Sequence, residues 1–254
     1  MRDGGPSSSA PDNECSRSVR RNHLNQPIGD PVDWAPPSPP PREPFEGRYC
    51  RVEPLAPPQH ARALWNANAR DVDGRNWTYL SYGPFETFEA YEDWVRRASA
   101  STDPLFFCIV TEDGPAGVAA YLRVAPDAGS MEVGHINFSP LLQRTRAATE
   151  AMYLMMRRAF ELGYRRYEWK CDALNAPSRA AAQRLGFSFE GVFRQALVTK
   201  GHNRDTAWYA VIDREWPALR AAMEQWLNPA NFDENGQQRQ ALSVLTKAIP
   251  VQRG

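Results

Sequence analysis

The sequence predicts a mixed α/β (α+β) domain built around a mostly antiparallel central sheet. Three observations predict it. Strand-like runs at 105–111, 116–124 and 131–139 follow one another with only turns between them, the pattern of an antiparallel meander. An amphipathic stretch at 145–162 then leads straight into another strand-like run at 164–171, the order of a parallel crossover. A helix, a hairpin and a closing helix complete the succession near residue 227.

The bulk properties narrow the class. A chain of 254 residues with 42% hydrophobic content suffices for one sizeable domain with tails. The formal net charge is zero, so bulk electrostatics offers no argument for nucleic acid or an anionic membrane as partner. The cysteines at 15, 50, 108 and 171 form no CxxC pair, and no histidine stands at metal-ligand spacing from them. They read as free thiols in a reducing compartment, with no metal implied. No apolar run approaches the roughly 20 residues needed to span a bilayer, and the first residues lack the apolar core of a signal peptide. A cytoplasmic protein is expected, with a homodimer left open.

Taken in order, residues 1–45 hold 10 of the 22 prolines and read as a disordered Pro-rich tail. Pro36 to Pro41 is also a candidate polyproline ligand. The folded domain is expected over 46–227, beginning with a short strand at Tyr49–Leu55 stopped by Pro54. Residues 58–68 place Ala61, Leu64 and Trp65 at helical spacing. Residues 87–98 do the same with Phe88, Tyr91, Trp94 and Val95 behind a Thr87 N-cap. The aromatic segment between them, Trp77 to Phe85, is either a packed loop or the wall of a substrate pocket. In the third meander strand, strict alternation puts Glu132 on one face with Gly134, Ile136 and Phe138, and His135 on the other. The 145–162 helix carries Ala148, Ala151, Met152, Met155, Ala159 and Leu162 as its apolar stripe, with Glu150, Arg157, Arg158 and Glu161 expected to face away. Gly163 suits its C-terminal stop. Pro177 suits the first turn of the next helix and Gly186 its end. Residues 200–203 join two strands as a hairpin. Residues 228–254 read as a polar extension with one short helix near 237–248.

Several residues together carry a family resemblance. Gly134 and Phe138-Ser139-Pro140 stand at the exit of the third meander strand. Gln143-Arg144-Thr145-Arg146-Ala147-Ala148-Thr149 opens the long helix. Asn175-Ala176-Pro177-Ser178 precedes Arg184-Leu185-Gly186-Phe187. In this order and spacing, residues 46–213 resemble the GNAT (Gcn5-related) N-acetyltransferase family. The likeness is nearest to the branch of the ribosomal-protein alanine N-acetyltransferases. The resemblance implies helices on both faces of the sheet and a splayed strand pair that receives acetyl-CoA. It places pantetheine along Phe138 and near Asn175, and pyrophosphate on residues 143–149 (Gln143, Arg144, Thr145, Arg146, Ala147, Ala148 and Thr149). Where the family pattern has glycines, this chain has Arg146 and Ala148. An ordinary helical φ at Arg146 would let its guanidinium, with that of Arg144, pair with the phosphates.

The implied reaction moves an acetyl group from acetyl-CoA to a primary amine, either a small molecule or a protein N-terminus. The amine must shed a proton before attack. Glu132 is the first candidate for the base, since an acid among apolar neighbours has a raised pKa. His135 and Asp172 are the others. Many relatives use a tyrosine as the acid about seven residues beyond the asparagine. Ala182 stands there, so Ser178 is the nearest substitute, with a helix-capping role as its other reading. Cys171 could act as a thiol nucleophile, but it has no base beside it in sequence, and packing explains it. The missing tyrosine also keeps a second reading open, a non-catalytic acyl-CoA-binding module on the same fold.

Overall fold

Among the described residues eight strands form one sheet, the first of them starting at Phe45. The computed structural model describes residues 19–254. The strands are β1 (Phe45–Glu46), β2 (Arg51–Pro54), β3 (Leu105–Thr111), β4 (Gly114–Ala125), β5 (Ser130–Phe138), β6 (Arg166–Asp172), β7 (Ser188–Thr199) and β8 (His202–Ile212). Their spatial order is β1-β2-β3-β4-β5-β6-β8-β7. Only β5 and β6 run parallel, because a helix connects them; the other neighbours are antiparallel. The main helices are α1 (Pro57–Asn68), α2 (Phe88–Ala100), α3 (Arg146–Glu161), α4 (Ala176–Arg184) and α5 (Trp216–Leu227), followed by a single turn, α6 (Leu242–Leu245).

Local sequence sets the helix ends. The Thr87 hydroxyl accepts from the Ala90 N–H at 3.2 Å and caps α2. Thr145 does the same for α3 through Ala148 N–H at 3.1 Å, and Asn175 for α4 through Ser178 N–H at 3.1 Å. At the β7–β8 hairpin, Lys200 and Gly201 both take positive φ, 50° and 78°, so the connection is a tight two-residue turn.

The sheet separates two apolar layers. On one face α1 and α2 pack Leu64, Tyr91, Trp94 and Val95 against Phe106, Cys108, Val118 and Ala120. On the other, α3, α4 and α5 pack Met152, Met155, Leu185, Leu219 and Met223 against Phe107, Tyr121, Val133, Tyr167 and Tyr209. Helix α3 is buried on nearly all sides.

Glu150 corrects the expectation that it faces away. It is buried, and its carboxylate accepts N–H from Arg48 at 2.8 Å, Tyr49 at 2.5 Å and Cys50 at 2.9 Å. A turn between β1 and β2 needed an acceptor for its amides, and α3 supplies it.

Two units divide the chain, 1–35 and 36–254. In the first, residues 21–27 fold into a turn closed by an Arg21–Pro27 bridge. The second begins ten residues earlier than composition suggests. Arg42 donates to the Ser99 and Ser101 carbonyls, Arg158 pairs with Glu43 at 3.2 Å, and the Tyr164 hydroxyl donates to the Ser38 carbonyl. It also takes in residues 228–254. Leu242 is fully buried there, and Phe232 meets Trp226 edge to face.

Candidate active site

The parallel pair β5–β6 comes apart part-way along. Its last shared rung is Val133–Trp169, yet β5 continues to Phe138 and β6 to Asp172. Between these free ends the backbone groups that would have paired across the gap are left to something else. This is the splayed pair that the resemblance implies.

Strand β5 also carries a bulge. Asn137 pairs with Val118 and Gly134 with Ala120, so His135 and Ile136 together oppose Ala119. His135 takes φ 51°, the local kink that absorbs the extra residue. The bulge overturns the alternation expected from sequence. Met131, Val133, Ile136 and Phe138 all pack on the α3 layer. Glu132 lies instead beside Gly134, and His135 packs on Phe106 and Tyr82 of the opposite layer. Glu132 and His135 therefore share a face, and Ile136 and Phe138 lie on the other.

Glu132 is buried and held by two cations. Arg123 Nη1 reaches it at 2.7 Å and Lys170 Nζ at 2.9 Å. Lys170 also pairs with Glu168 at 2.6 Å, the residue directly across from Glu132 in the register. Burial raises the Glu132 pKa; Lys170 and Arg123 pull it back only in part. Burial lowers His135 to about 4, with the Arg123 and Arg204 charges adding to the effect. Its Nδ1 lies 3.3 Å from the Tyr82 hydroxyl.

The segment from Phe138 into α3 is a tight loop. Leu142 and Gln143 N–H both donate to the Ser139 carbonyl, and the Thr145 hydroxyl donates to that of Leu142. Arg144 takes φ 61°, so the left-handed position falls there, while Arg146 is the first residue of α3. Among the described residues, the N–H groups of Arg144, Arg146 and Ala147 have no intramolecular acceptor, and they open α3. This is an anion-binding arrangement. Ala147, Ala148 and Thr149 have buried side chains, and Thr149 accepts from Arg184 at 3.1 Å. What they offer the loop is backbone.

The Arg146 guanidinium departs from expectation. It lies 4.2 Å from the centre of the Phe232 ring, stacked on the 228–254 segment. Arg144 is exposed and makes no ion pair among the described residues. Gln143 Nε2 donates to the Phe138 carbonyl at 2.8 Å and to Asn76 Oδ1 at 2.7 Å. Asn76 in turn donates to that same carbonyl at 3.2 Å. Gln143 thus ties the end of β5 to the loop after α1.

On the α4 side, Ser178 Oγ accepts from the Trp169 indole at 3.0 Å, which leaves its own proton to give. Asn175 spends its carbonyl oxygen on the helix cap, and its amide nitrogen has no acceptor among the described residues. Cys171 is buried, and burial raises its thiol pKa, with Ser178 and two arginines opposing, so it remains a thiol. Ala182 is fully buried in the α3 layer, with Leu185 and Phe187 in the same apolar cluster.

Sequence reading missed the pieces that close this region. Tyr79 donates to the Leu174 carbonyl at 3.2 Å, and Lys200 at the hairpin tip donates to the Trp77 carbonyl at 2.7 Å. The start of the aromatic loop is therefore pinned over the splay from two sides, by the turn after β6 and by the hairpin tip. The aromatic density of Trp77 to Phe85 was the only signal for it. Lys170 and Arg204 carried none, since their neighbours lie on other strands.

A splayed parallel pair that runs into unpaired amides at a helix start makes a groove that ends in an anion-binding loop. Residues 52–188 match the family model described as an acetyltransferase (GNAT) domain. Among solved structures, the chain is 47% identical to a GCN5-related N-acetyltransferase from Brucella melitensis, with a TM-score of 0.83 over 85% of this chain and 99% of that one. It is 41% identical to a probable GNAT-family acetyltransferase from Chromobacterium violaceum, with a TM-score of 0.70 over 76% and 100% of the two chains. The chain belongs to the GNAT acetyltransferase family. The fold likeness extends to the Salmonella typhimurium acetyltransferase that modifies the N-terminal serine of ribosomal protein L7/L12, at 20% identity and a TM-score of 0.57 over 65% and 96% of the chains. A search of curated proteins gave no match.

Proposed function

We propose that this acyltransferase moves an acetyl group from acetyl-CoA to a primary amine by direct attack. One observation carries the reading: the β5–β6 gap leads without interruption to the unpaired N–H groups of Arg144, Arg146 and Ala147. Those amides suit a pyrophosphate, with the exposed Arg144 side chain adding charge. Gln143 and the Thr145 cap hold the loop, Ala147, Ala148 and Thr149 pack its helix start, and Arg146 contributes backbone. The free Asn175 amide nitrogen and the Phe138 backbone suit pantetheine.

The amine nitrogen forms a bond to the thioester carbon and loses one proton, and the sulfur leaves and gains one. Glu132, kept partly protonatable by burial, takes the amine proton through water. Ser178 hands a proton to the departing sulfur. A backbone N–H of the free part of β5 faces the developing oxyanion.

Calorimetric titration with acetyl-CoA, followed by thiol release across an amine panel, tests this. Binding with turnover is expected. Absence of binding at millimolar acetyl-CoA overturns the reading. Binding with no thiol release from any amine favours a non-catalytic acyl-CoA-binding module, the reading that buried Ala182 supports.

A further inference from the structure

Beneath the aromatic arch, polar groups are buried without partners among the described residues. Asn137 is 1% exposed, and both ends of its amide lack a hydrogen bond. Thr206 is 4% exposed with its hydroxyl unpaired, and the Arg204 Nε is buried and unpaired. Such groups carry an uncompensated desolvation cost unless something binds them. They belong to one region. Counting from the last common rung, Val133–Trp169–Tyr209, and allowing one residue for the bulge, Asn137 stands level with Asp172 and its partner Thr206. Arg204 lies two residues further along β8, past the end of β6, on the same face as Thr206 and toward the open end of the gap.

The charges there are uneven. Glu132 and Glu168 are already matched to Lys170, Arg123 and Arg166. Asp205 is engaged by the Gln195 N–H and the Asn203 amide. Arg204 has no carboxylate within ion-pairing distance among the described residues, and its charge bears on both His135 and Cys171, one on each side of the gap. Asp172, at the end of β6 on the same side of the gap, is the nearby acid in the register; one of its oxygens accepts from the Leu174 N–H at 2.9 Å, and it does not pair with Arg204.

We infer that Arg204 binds a carboxylate carried by the amine acceptor, with Asp172 facing the amine end and Asn137 and Thr206 completing the polar wall. The acceptor class is therefore a small amino acid rather than a simple alkylamine. The pinned arch over the site favours a molecule of that size. This rests on the acyl-transfer reading above and narrows its acceptor.

The test compares α-amino acids with their own amides as acceptors, using acetyl-CoA, in the full-length protein and in Arg204→Ala and Arg204→Lys. The acids should exceed the amides in kcat/KM by roughly 10- to 100-fold, the range of a charge-assisted hydrogen bond. Arg204→Ala should erase that preference through acceptor KM, leave the KM for acetyl-CoA unchanged, and be partly rescued by lysine. Equal rates for acids and amides, or a preference that survives Arg204→Ala, overturn the inference while leaving acyl transfer intact. A preference that follows a succinyl donor instead would put the carboxylate on the acyl group and also overturn it. If no acceptor turns over, calorimetry of the same amino acids against the CoA-saturated protein decides separately. Binding that depends on Arg204 upholds the carboxylate site even though transfer has failed, and no binding refutes it.

Discussion

Glu132 and His135 show how one extra residue decides chemistry. Both were candidates for the base, and strict alternation set them on opposite faces. The bulge brings them to the same face and gives them different environments. Glu132→Gln should lower kcat roughly 10²-fold or more with little change in acetyl-CoA affinity, measured by thiol release and calorimetry. Lys170 keeps Glu168 at 2.6 Å in that variant, so the fold has a remaining partner for it. Unchanged turnover would remove Glu132 from the mechanism. His135 makes a different prediction. Its folded pKa of about 4 lies below the ordinary 6.5. Between those values the unfolded chain binds the extra proton, so this contribution to stability is full above about pH 6.5 and is lost as pH falls toward 4. His135→Gln should flatten the pH dependence of Tm across that window. An unchanged slope would show that another group titrates there. Arg146→Ala, judged by its Phe232 stacking, should lower stability by about 1 kcal/mol in urea unfolding. A large loss of CoA affinity with unchanged stability would return its side chain to the phosphates.

At the scale of elements, much was legible and the failures share a cause. Thr87 and Pro177 announced helix starts, Gly163 and Gly186 announced ends, and the meander was visible because its three strands are consecutive. Each of these signals acts within a few residues. Glu150 was misread because its partners, Arg48 to Cys50, lie about 100 residues away, and a charge on a helix reads locally as a solvent-facing one. The bulge was invisible because His135 is neither glycine nor asparagine, and periodicity had no reason to skip. Proline density read as a tail, yet residues 36–45 pack through Arg42, Glu43 and the Ser38 carbonyl. Glu150→Ala should cost about 3 kcal/mol or more, since three amides lose a charged acceptor at once. Amide exchange at 48–50 should accelerate with it. Protection that persists there would mean that another group satisfies the turn. The arch makes its own prediction. Tyr79→Phe and Lys200→Ala each cut one pin, and both should raise acceptor KM while acetyl-CoA affinity holds. An effect on acetyl-CoA alone would place the arch on the donor side.

For the whole molecule, the resemblance in sequence captured the order of elements and the splay because both follow from topology. The direction of the Arg146 side chain was not legible there, since it depends on Phe232 in a segment outside the resemblance. The extension from 228 onward is part of the second layer of the fold. Leu242→Ala should cost about 2–4 kcal/mol, seen as a shift in the denaturant midpoint. A neutral result would make the extension an independent appendage.

The bulge in β5 also sets what an insertion or deletion can do. Removing His135 would close the bulge and leave Ile136, Asn137 and Phe138 on the faces they already occupy, because plain alternation from Gly134 sends Ile136 to the α3 layer. Removing Ile136 instead would carry His135 into that layer. The bulge is therefore the one place where this strand can lose a residue without exchanging the two surfaces beyond it.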